Sequence, residues 1–283
     1  MEDAQLKDIF RDALTLARQA ALEAATFIQS HAGGISESEI VTKGLNDLAS
    51  FVDEGAQDII VRMISDKFPD HIILAEEGYE EGKSEGGSSL RNQSGFLWII
   101  DPLDGTTNFM HGIPHYGVSI ALLYNGEAQV GLIRDVCRAE SFFAIRGQGA
   151  FLDDQSFRVS PEPLLANSLI TTGFPYKHFD FIDAYTTSIR SFWKDSRGVR
   201  RPGSASLDLA WVACGRFEGF FEQGLMPWDV AAGALIVEEA GGRYSDFSNG
   251  SAAELGSEIV ASNGLIHREM IDRLVPLRTP DTK

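Results

Sequence analysis

The sequence predicts an α+β protein whose first part sets two long helices over a mainly antiparallel sheet and whose second part is a smaller α/β unit. Three observations predict it. Apolar residues recur at helical spacing over 5–31 and again over 51–68. Five β-branched or aromatic runs follow between His71 and Ile145, each punctuated by Gly or Asn. After about Pro161, short strand-like runs alternate with helical stretches, the pattern of helices laid on a sheet. A length of 283 residues suits two packed sub-domains rather than one core, and the change of rhythm divides them as 1–160 and 161–283.

The elements are justified in chain order. Ile9, Phe10, Leu14, Ala17, Ala21, Ala24, Phe27 and Ile28 fall three and four apart, which is one face of a long helix. Phe51, Val52, Ile59, Ile60, Met63 and Ile64 repeat that spacing up to Phe68-Pro69. Strands are predicted over His71 to Ala75, Phe96 to Ile100, Gly117 to Leu123, Ala128 to Asp135 and Ser141 to Ile145. Asn125-Gly126 is a two-residue hairpin turn between the third and fourth. In the second part, strands over Ser168 to Thr172, Gly219 to Glu222, Gly242 to Asp246 and Glu258 to Ser262 alternate with helices over Phe181 to Trp193, Ser206 to Cys214, Asp229 to Ala240 and Leu265 to Leu274. No internal repeat is present. Glu80 to Ser89, rich in Gly, Ser and Glu, reads as a solvated loop.

Composition narrows the function. With 24 Lys and Arg against 41 Asp and Glu, the net charge is −17, which repels the phosphates of nucleic acid and of anionic membranes. The amino terminus lacks the basic start and apolar core of a signal peptide, and no apolar stretch approaches the ~20 residues of a membrane span. Cys137 and Cys214 are far apart without ligand spacing and read as core residues of a reducing compartment. The expectation is a cytoplasmic protein.

The most informative stretch is Phe96-Leu-Trp-Ile-Ile-Asp-Pro-Leu-Asp-Gly-Thr-Thr-Asn-Phe109. An apolar strand delivers Asp101, and Pro102 fixes φ so that the chain is expected to turn. Two carboxylates three residues apart, with a free carbonyl between them, suit a hard cation that takes oxygen ligands. Gly105 lets backbone approach a ligand, and Thr106 and Thr107 offer amides and hydroxyls to a phosphate. An ordinary strand-to-turn connection also uses Asp, Pro and Gly; two further carboxylate motifs move the balance to metal. Ile72-Ile-Leu-Ala-Glu-Glu77 brings acid to another strand end, although alone it is only the edge of a loop. Pro227-Trp-Asp-Val-Ala-Ala-Gly233 opens a helix apolar nearly all round, where Asp229 serves as an N-terminal cap, a metal ligand or both.

Asp101 to Phe109, Glu76-Glu77, and Trp228-Asp229 through Gly241-Gly242 resemble, in order and spacing, the signatures of the inositol monophosphatase family. The likeness runs over essentially the whole chain. It implies a layered α-β-α-β-α sandwich of the sugar phosphatase type, a homodimer, lithium sensitivity, and two or three Mg²⁺ ions per active site. It implies that Glu76, Asp101, the carbonyl of Leu103, Asp104 and Asp229 hold metal. Gly105 and Thr106 then hold phosphate, and Thr106, paired with Asp53 and Glu76, orients the attacking water. Asp104, Arg200, Gly203, Ser204, Ala205 and Glu222 fall where relatives contact the sugar or polyol. The implied activity is hydrolysis of a small polyol or sugar phosphate, foremost an inositol monophosphate, by metal-activated water. Relatives with these motifs also take fructose 1,6-bisphosphate, NADP or histidinol phosphate. Those acting on 3′-phosphoadenosine 5′-phosphate usually carry Lys-Glu where this chain has Thr107-Asn108. From another class, the chain could be a non-catalytic, metal-binding interaction protein. The sequence departs from the family at Ser50, in a loop from Lys43 that is one residue short, at Gly78 where Ser is frequent, and at Pro202.

Other signals carry less. Gly82-Lys-Ser-Glu-Gly86 has the form of a nucleophile elbow but stands in a polar loop rather than between strand and helix. Gly78 to Ser84 is one residue short of a P-loop. His111 and His115 are four apart, yet Pro114 disfavours a helix there, so packing or hydrogen bonding is expected rather than zinc. Arg200-Arg201 is too short a basic run for nucleic acid and is expected beside an anionic ligand or a dimer partner.

Overall fold

The computed structural model describes residues 3–33, 40–44, 47–79, 90–174, 179–250 and 257–278, with 40–44 and 47–50 as backbone alone. The loop expected over Glu80 to Ser89 and the motif at 82–86 lie outside the described residues, as does most of Gly78 to Ser84; so do the side chains of Lys43 and Ser50.

Helices α1 (Asp3–His31) and α2 (Phe51–Lys67) form where the apolar spacing predicts them. Between them a hairpin of β1 (Ile40–Gly44) and β2 (Asp47–Ser50) pairs antiparallel, which the sequence did not signal. A sheet in the order β3-β4-β5-β6-β7-β8-β9 follows. Its strands are β3 (Ile72–Ala75), β4 (Phe96–Asp104), β5 (Gly117–Tyr124), β6 (Glu127–Asp135), β7 (Glu140–Ile145), β8 (Ala150–Leu152) and β9 (Gln155–Phe157). Only β3 runs parallel to its neighbour; β4 to β9 pair antiparallel. Asn125 and Gly126 take φ of 51° and 80°, both positive as a type I′ hairpin turn requires.

A second sheet has the order β11-β10-β12-β14-β13, from β10 (Leu169–Thr172), β11 (Gly198–Arg200), β12 (Gly219–Leu225), β13 (Arg243–Ser245) and β14 (Ser257–Ser262). Helices α4 (Ile182–Asp195), α5 (Ala205–Ala213), α6 (Pro227–Glu239) and α7 (His267–Arg273) complete the chain after the short α3 (Thr106–Met110).

Strand alternation sorts these elements into layers, because successive side chains point to opposite faces. Trp98, Ile100, Ile120 and Leu132 pack with Ala17, Ala24, Ile28, Ile60 and Ile64 of α1 and α2. The opposite parity, Leu97, Ile99 and Ile133, packs with Leu207, Leu209, Ala232 and Ile236 of α5 and α6, and so do Phe220, Ile259 and Ala261 of the second sheet. That sheet turns Phe221 and Val260 the other way, onto Ile189, Phe192, Met270 and Leu274 of α4 and α7. The order is therefore α-β-α-β-α. Helices α5 and α6 lack a polar face because a sheet covers each side of them.

One expectation at β4 is corrected. The chain does not turn at Pro102; the strand continues to Asp104. Asp101 pairs with Ser119 and Asp104 with Gly117, three residues against two, which is a β-bulge. Proline has no N–H for the ladder and is accommodated at such a bulge. The turn comes at Gly105, whose φ is 98°.

A buried histidine gives the fold an acid limit. His267 bonds Ser245 Oγ at 3.0 Å and Ser262 Oγ at 2.9 Å through its two ring nitrogens. Burial, and then Arg243, lower its pKa to about 4, against ~6.5 in the unfolded chain. Above that unfolded value both states are neutral and the stability is fully present. As pH falls from 6.5 to 4, only the unfolded chain binds the proton, and about 3 kcal/mol is lost. His267→Gln is expected to flatten the fall in urea midpoint between pH 7 and 4.5. An equally steep fall in the variant would assign the acid sensitivity elsewhere.

Candidate active site

The bulge in β4 decides the geometry of the site. In a regular strand, residues three apart face opposite sides of the sheet. The extra residue between Asp101 and Asp104 reverses that parity, so both carboxylates reach one place. Asp229, from the first turn of α6, joins them. One carboxylate oxygen from each of Asp101, Asp104 and Asp229 lies within 4.8 Å of the others, the one such grouping among the described residues.

Each carboxylate is held by its neighbours. Asp101 Oδ1 accepts from the Leu103 amide at 3.0 Å. Asp104 Oδ2 accepts from Ser204 Oγ, Ser206 N and Ser206 Oγ at 2.6, 2.7 and 2.5 Å. Asp229 Oδ2 accepts from the Met226 amide at 2.6 Å, so Asp229 caps α6 and faces the cluster at once. Glu76 follows β3, where its amide donates to Ile100 O at 3.2 Å. The Gln57 side chain of α2 clamps both backbone groups of Glu77 at 2.9 Å. Burial, then Glu76, Asp104 and Asp229, raise the Asp101 carboxyl well above the usual carboxylate range. Such crowding of desolvated like charges is relieved by a cation, and an all-oxygen donor set fits Mg²⁺.

Beside this cluster, Thr106 Oγ1 lies 2.9 Å from Asp53 Oδ1 and 3.0 Å from Leu103 O. Asp53 is buried in the first turn of α2. Gly105 caps α3 in the left-handed region, and a Cβ there would sit 3.0 Å from His115 O. These residues open onto a cleft of 330 Å³ that Glu76, Asp101, Asp104 and Asp229 also line. Its other wall comes from the second sheet and α5. Glu222 of β12 is buried there, and burial pushes its carboxyl up to about 8, with Arg201 opposing the shift. A Cβ on Gly173 would fall 1.8 Å from Glu222 Oε1, so glycine makes room for that carboxylate.

Of the site residues expected from sequence, Glu76, Asp101, Leu103, Asp104, Gly105, Thr106, Gly203, Ser204, Ala205, Glu222 and Asp229 all line this one cleft. Asp53 stands behind Thr106. Arg200 differs: its side chain is exposed and bonds Val199 O, while Arg201 lines the cleft, over Phe174 at 5.7 Å. The reason is parity, since adjacent residues leave a strand end in opposite directions. Ser204 uses its hydroxyl on Asp104 rather than presenting it to the cleft. His111 and His115 form no cluster; His115 is buried with its ring edge-on to Trp211.

Sequence reasoning missed Ser206, Asn108, Gly173 and Asp208. Asn108 Nδ2 ties α3 to the other wall, donating to His115 O at 2.7 Å and Pro202 O at 2.9 Å. For Asp208 a signal existed: it is the single charge in the apolar run Ala205–Ala213.

The sequence and the fold are similar to those of known proteins. Residues 11–279 match the model of the inositol monophosphatase family. Over 273 residues the chain is 40% identical to Nus factor SuhB of Pseudomonas aeruginosa, covering 95% of this chain and 98% of that one. The crystal structure of extragenic suppressor protein SuhB from Bartonella henselae matches with a TM-score of 0.85 at 36% identity, over 93% and 98% of the two chains. Inositol monophosphatase from Anabaena matches with a TM-score of 0.80 at 34% identity, over 97% and 98%. With the layered fold and near-complete coverage in agreement, the chain belongs to the inositol monophosphatase family.

Proposed function

We propose that this protein is a Mg²⁺-dependent phosphomonoester hydrolase acting on a small polyol phosphate, foremost an inositol monophosphate. The observation that carries this reading is one cleft combining the Asp101, Asp104 and Asp229 cluster with the Thr106–Asp53 pair. Glu76, Asp101, the Leu103 carbonyl, Asp104 and Asp229 hold the cations, two or three per site. Among the described residues lining the cleft, Arg201 is the one cation against six carboxyls, so a dianionic ester needs bound Mg²⁺ to enter. When bound, Mg²⁺ supplies charge neutralisation of the phosphate, a lower pKa for attacking water and stabilisation of the leaving alkoxide.

The chain's own residues do the rest. By donating to Asp53, the Thr106 hydroxyl turns its lone pairs outward, where they accept from a water and aim its oxygen at phosphorus. Glu76 accepts from the same water. The Gly105 and Thr106 amides hold phosphate oxygens, and the wall of Gly203, Ala205 and Glu222 receives the alcohol. Attack then proceeds in line. Family membership further supports a cytoplasmic, lithium-sensitive homodimer built of units 1–160 and 161–283.

Glu222→Ala is expected to lower the ratio of kcat/KM for a polyol phosphate to that for an aryl phosphate about tenfold or more. Its carboxylate accepts from hydroxyls that an aryl leaving group lacks. Equal losses on both esters would remove Glu222 from the alcohol site. The same panel, extended to fructose 1,6-bisphosphate, NADP and histidinol phosphate, ranks the alternative substrates.

The relatives named Nus factor SuhB favour a second reading, in which the chain acts as a Nus factor and keeps the fold for interaction. Inorganic phosphate released with and without Mg²⁺ separates the two. No release from any ester at saturating Mg²⁺ would leave only the second.

A further inference from the structure

Near Glu222 lies a second buried carboxyl to which the reaction assigns no task. Asp208 sits one turn after Ser204 on α5, its amide donating to Ser204 O at 3.0 Å. That spacing puts it on the face carrying Ser204 toward the cleft, while Leu207 and Leu209 turn into the core. Asp208 is 1% exposed and lines the cleft. The Thr171 hydroxyl of β10 donates to Arg200 O at 3.4 Å and lies near enough to the Asp208 carboxyl to favour its charged form, while Oδ1 has no hydrogen-bond partner among the described residues. Buried polar atoms are nearly always satisfied, and an orphan calls for an explanation. An Asp whose task was only to meet Thr171 would not need its second oxygen there.

We propose that Asp208 is a specificity-determining residue that, together with Glu222, reads two hydroxyl groups on the alcohol portion of the phosphate ester. This rests on the hydrolase reading above and narrows its substrate class to leaving groups with at least two hydroxyls besides the ester oxygen. The groups facing Asp208 are Thr171, Glu222, Asp104 and Arg201. Burial, then Glu222, raise its carboxyl well above the usual range, which favours the protonated form, able to donate as well as accept. A hydroxyl is the partner that can answer both roles. Glu222 approaches from β12, so the two carboxyls come from different elements and meet different positions of one ring or chain.

The test compares kcat/KM for myo-inositol 1-phosphate with that for p-nitrophenyl phosphate, at saturating Mg²⁺, in wild type, Asp208→Ala and Asp208→Asn. The ratio is expected to fall about tenfold or more in Asp208→Ala, and to recover to within about threefold of wild type in Asp208→Asn, whose neutral amide keeps a donor and an acceptor. In a Glu222→Ala background, Asp208→Ala is expected to lower the ratio again, because each side chain reads its own hydroxyl. Equal losses on both esters, no loss, or an Asn variant as impaired as Ala would overturn the inference while the hydrolase reading stands. No further loss in the Glu222→Ala background would show Asp208 acting only through Glu222 and would overturn it as well. A wild-type protein that hydrolysed neither ester would overturn both readings.

Discussion

Asp101→Asn is expected to lower Mg²⁺-dependent phosphate release about 10²- to 10³-fold while the protein stays folded. The substitution keeps the shape of the side chain and an oxygen that accepts from the Leu103 amide. It removes one anion from the cluster that holds the cation, and preorganised charge of this kind carries much of the transition-state stabilisation. The two consequences separate in a thermal melt. Wild type is expected to gain Tm with added Mg²⁺ and to lose the gain in EDTA, since a cation that binds only the folded state stabilises it by mass action. In EDTA the variant should melt no lower than wild type, because burial, Glu76, Asp104 and Asp229 all disfavour a charge at Asp101. With Mg²⁺ its gain should shrink. Turnover within tenfold of wild type at saturating Mg²⁺ would sink the assignment of Asp101 as a metal ligand.

Thr106→Ala is expected to lower kcat about a hundredfold and to change KM by no more than about threefold. The hydroxyl is 2.9 Å from Asp53 Oδ1 and 3.0 Å from Leu103 O, an orientation that fixes where its lone pairs point. A group that steers the attacking water counts for more in the transition state than in the bound ester. Thr106→Ser keeps the hydroxyl and should recover most of the rate. A variant altered in KM alone would make Thr106 a passive phosphate contact. An Ala variant as fast as wild type would remove it from the chemistry.

Much of the fold is legible because its elements are long and strongly patterned. Helices α1 and α2 repeat their apolar spacing over several turns, and β4 to β7 alternate or run apolar between clear turn residues. What escaped is short. β8 and β9 hold three residues each, fewer than two full alternations, and pair through a turn at Asp153, whose φ is 53°. β11 is equally short. Strands β1 and β2, which pair Gly44 with Asp47, lack the alternating apolar pattern that marks a strand.

The sequence, through its likeness to the inositol monophosphatase family, named Glu76, Asp101, Asp104 and Asp229 as one set, and all four line one cleft. It also showed that α6 is buried, because no face of that helix is polar. Only the tertiary structure decided how the set converges. Asp101 and Asp104 share a face because a bulge at Pro102 lies between them, which only their ladder partners reveal, Ser119 pairing with Asp101 and Gly117 with Asp104. Arg201 rather than Arg200 enters the cleft, and Asp208 meets Glu222 and Thr171 from three separate elements. Local pattern records what a residue does to its own helix or strand. Which residues meet across layers depends on packing between segments that are separate in the chain, and no periodicity within either segment carries that.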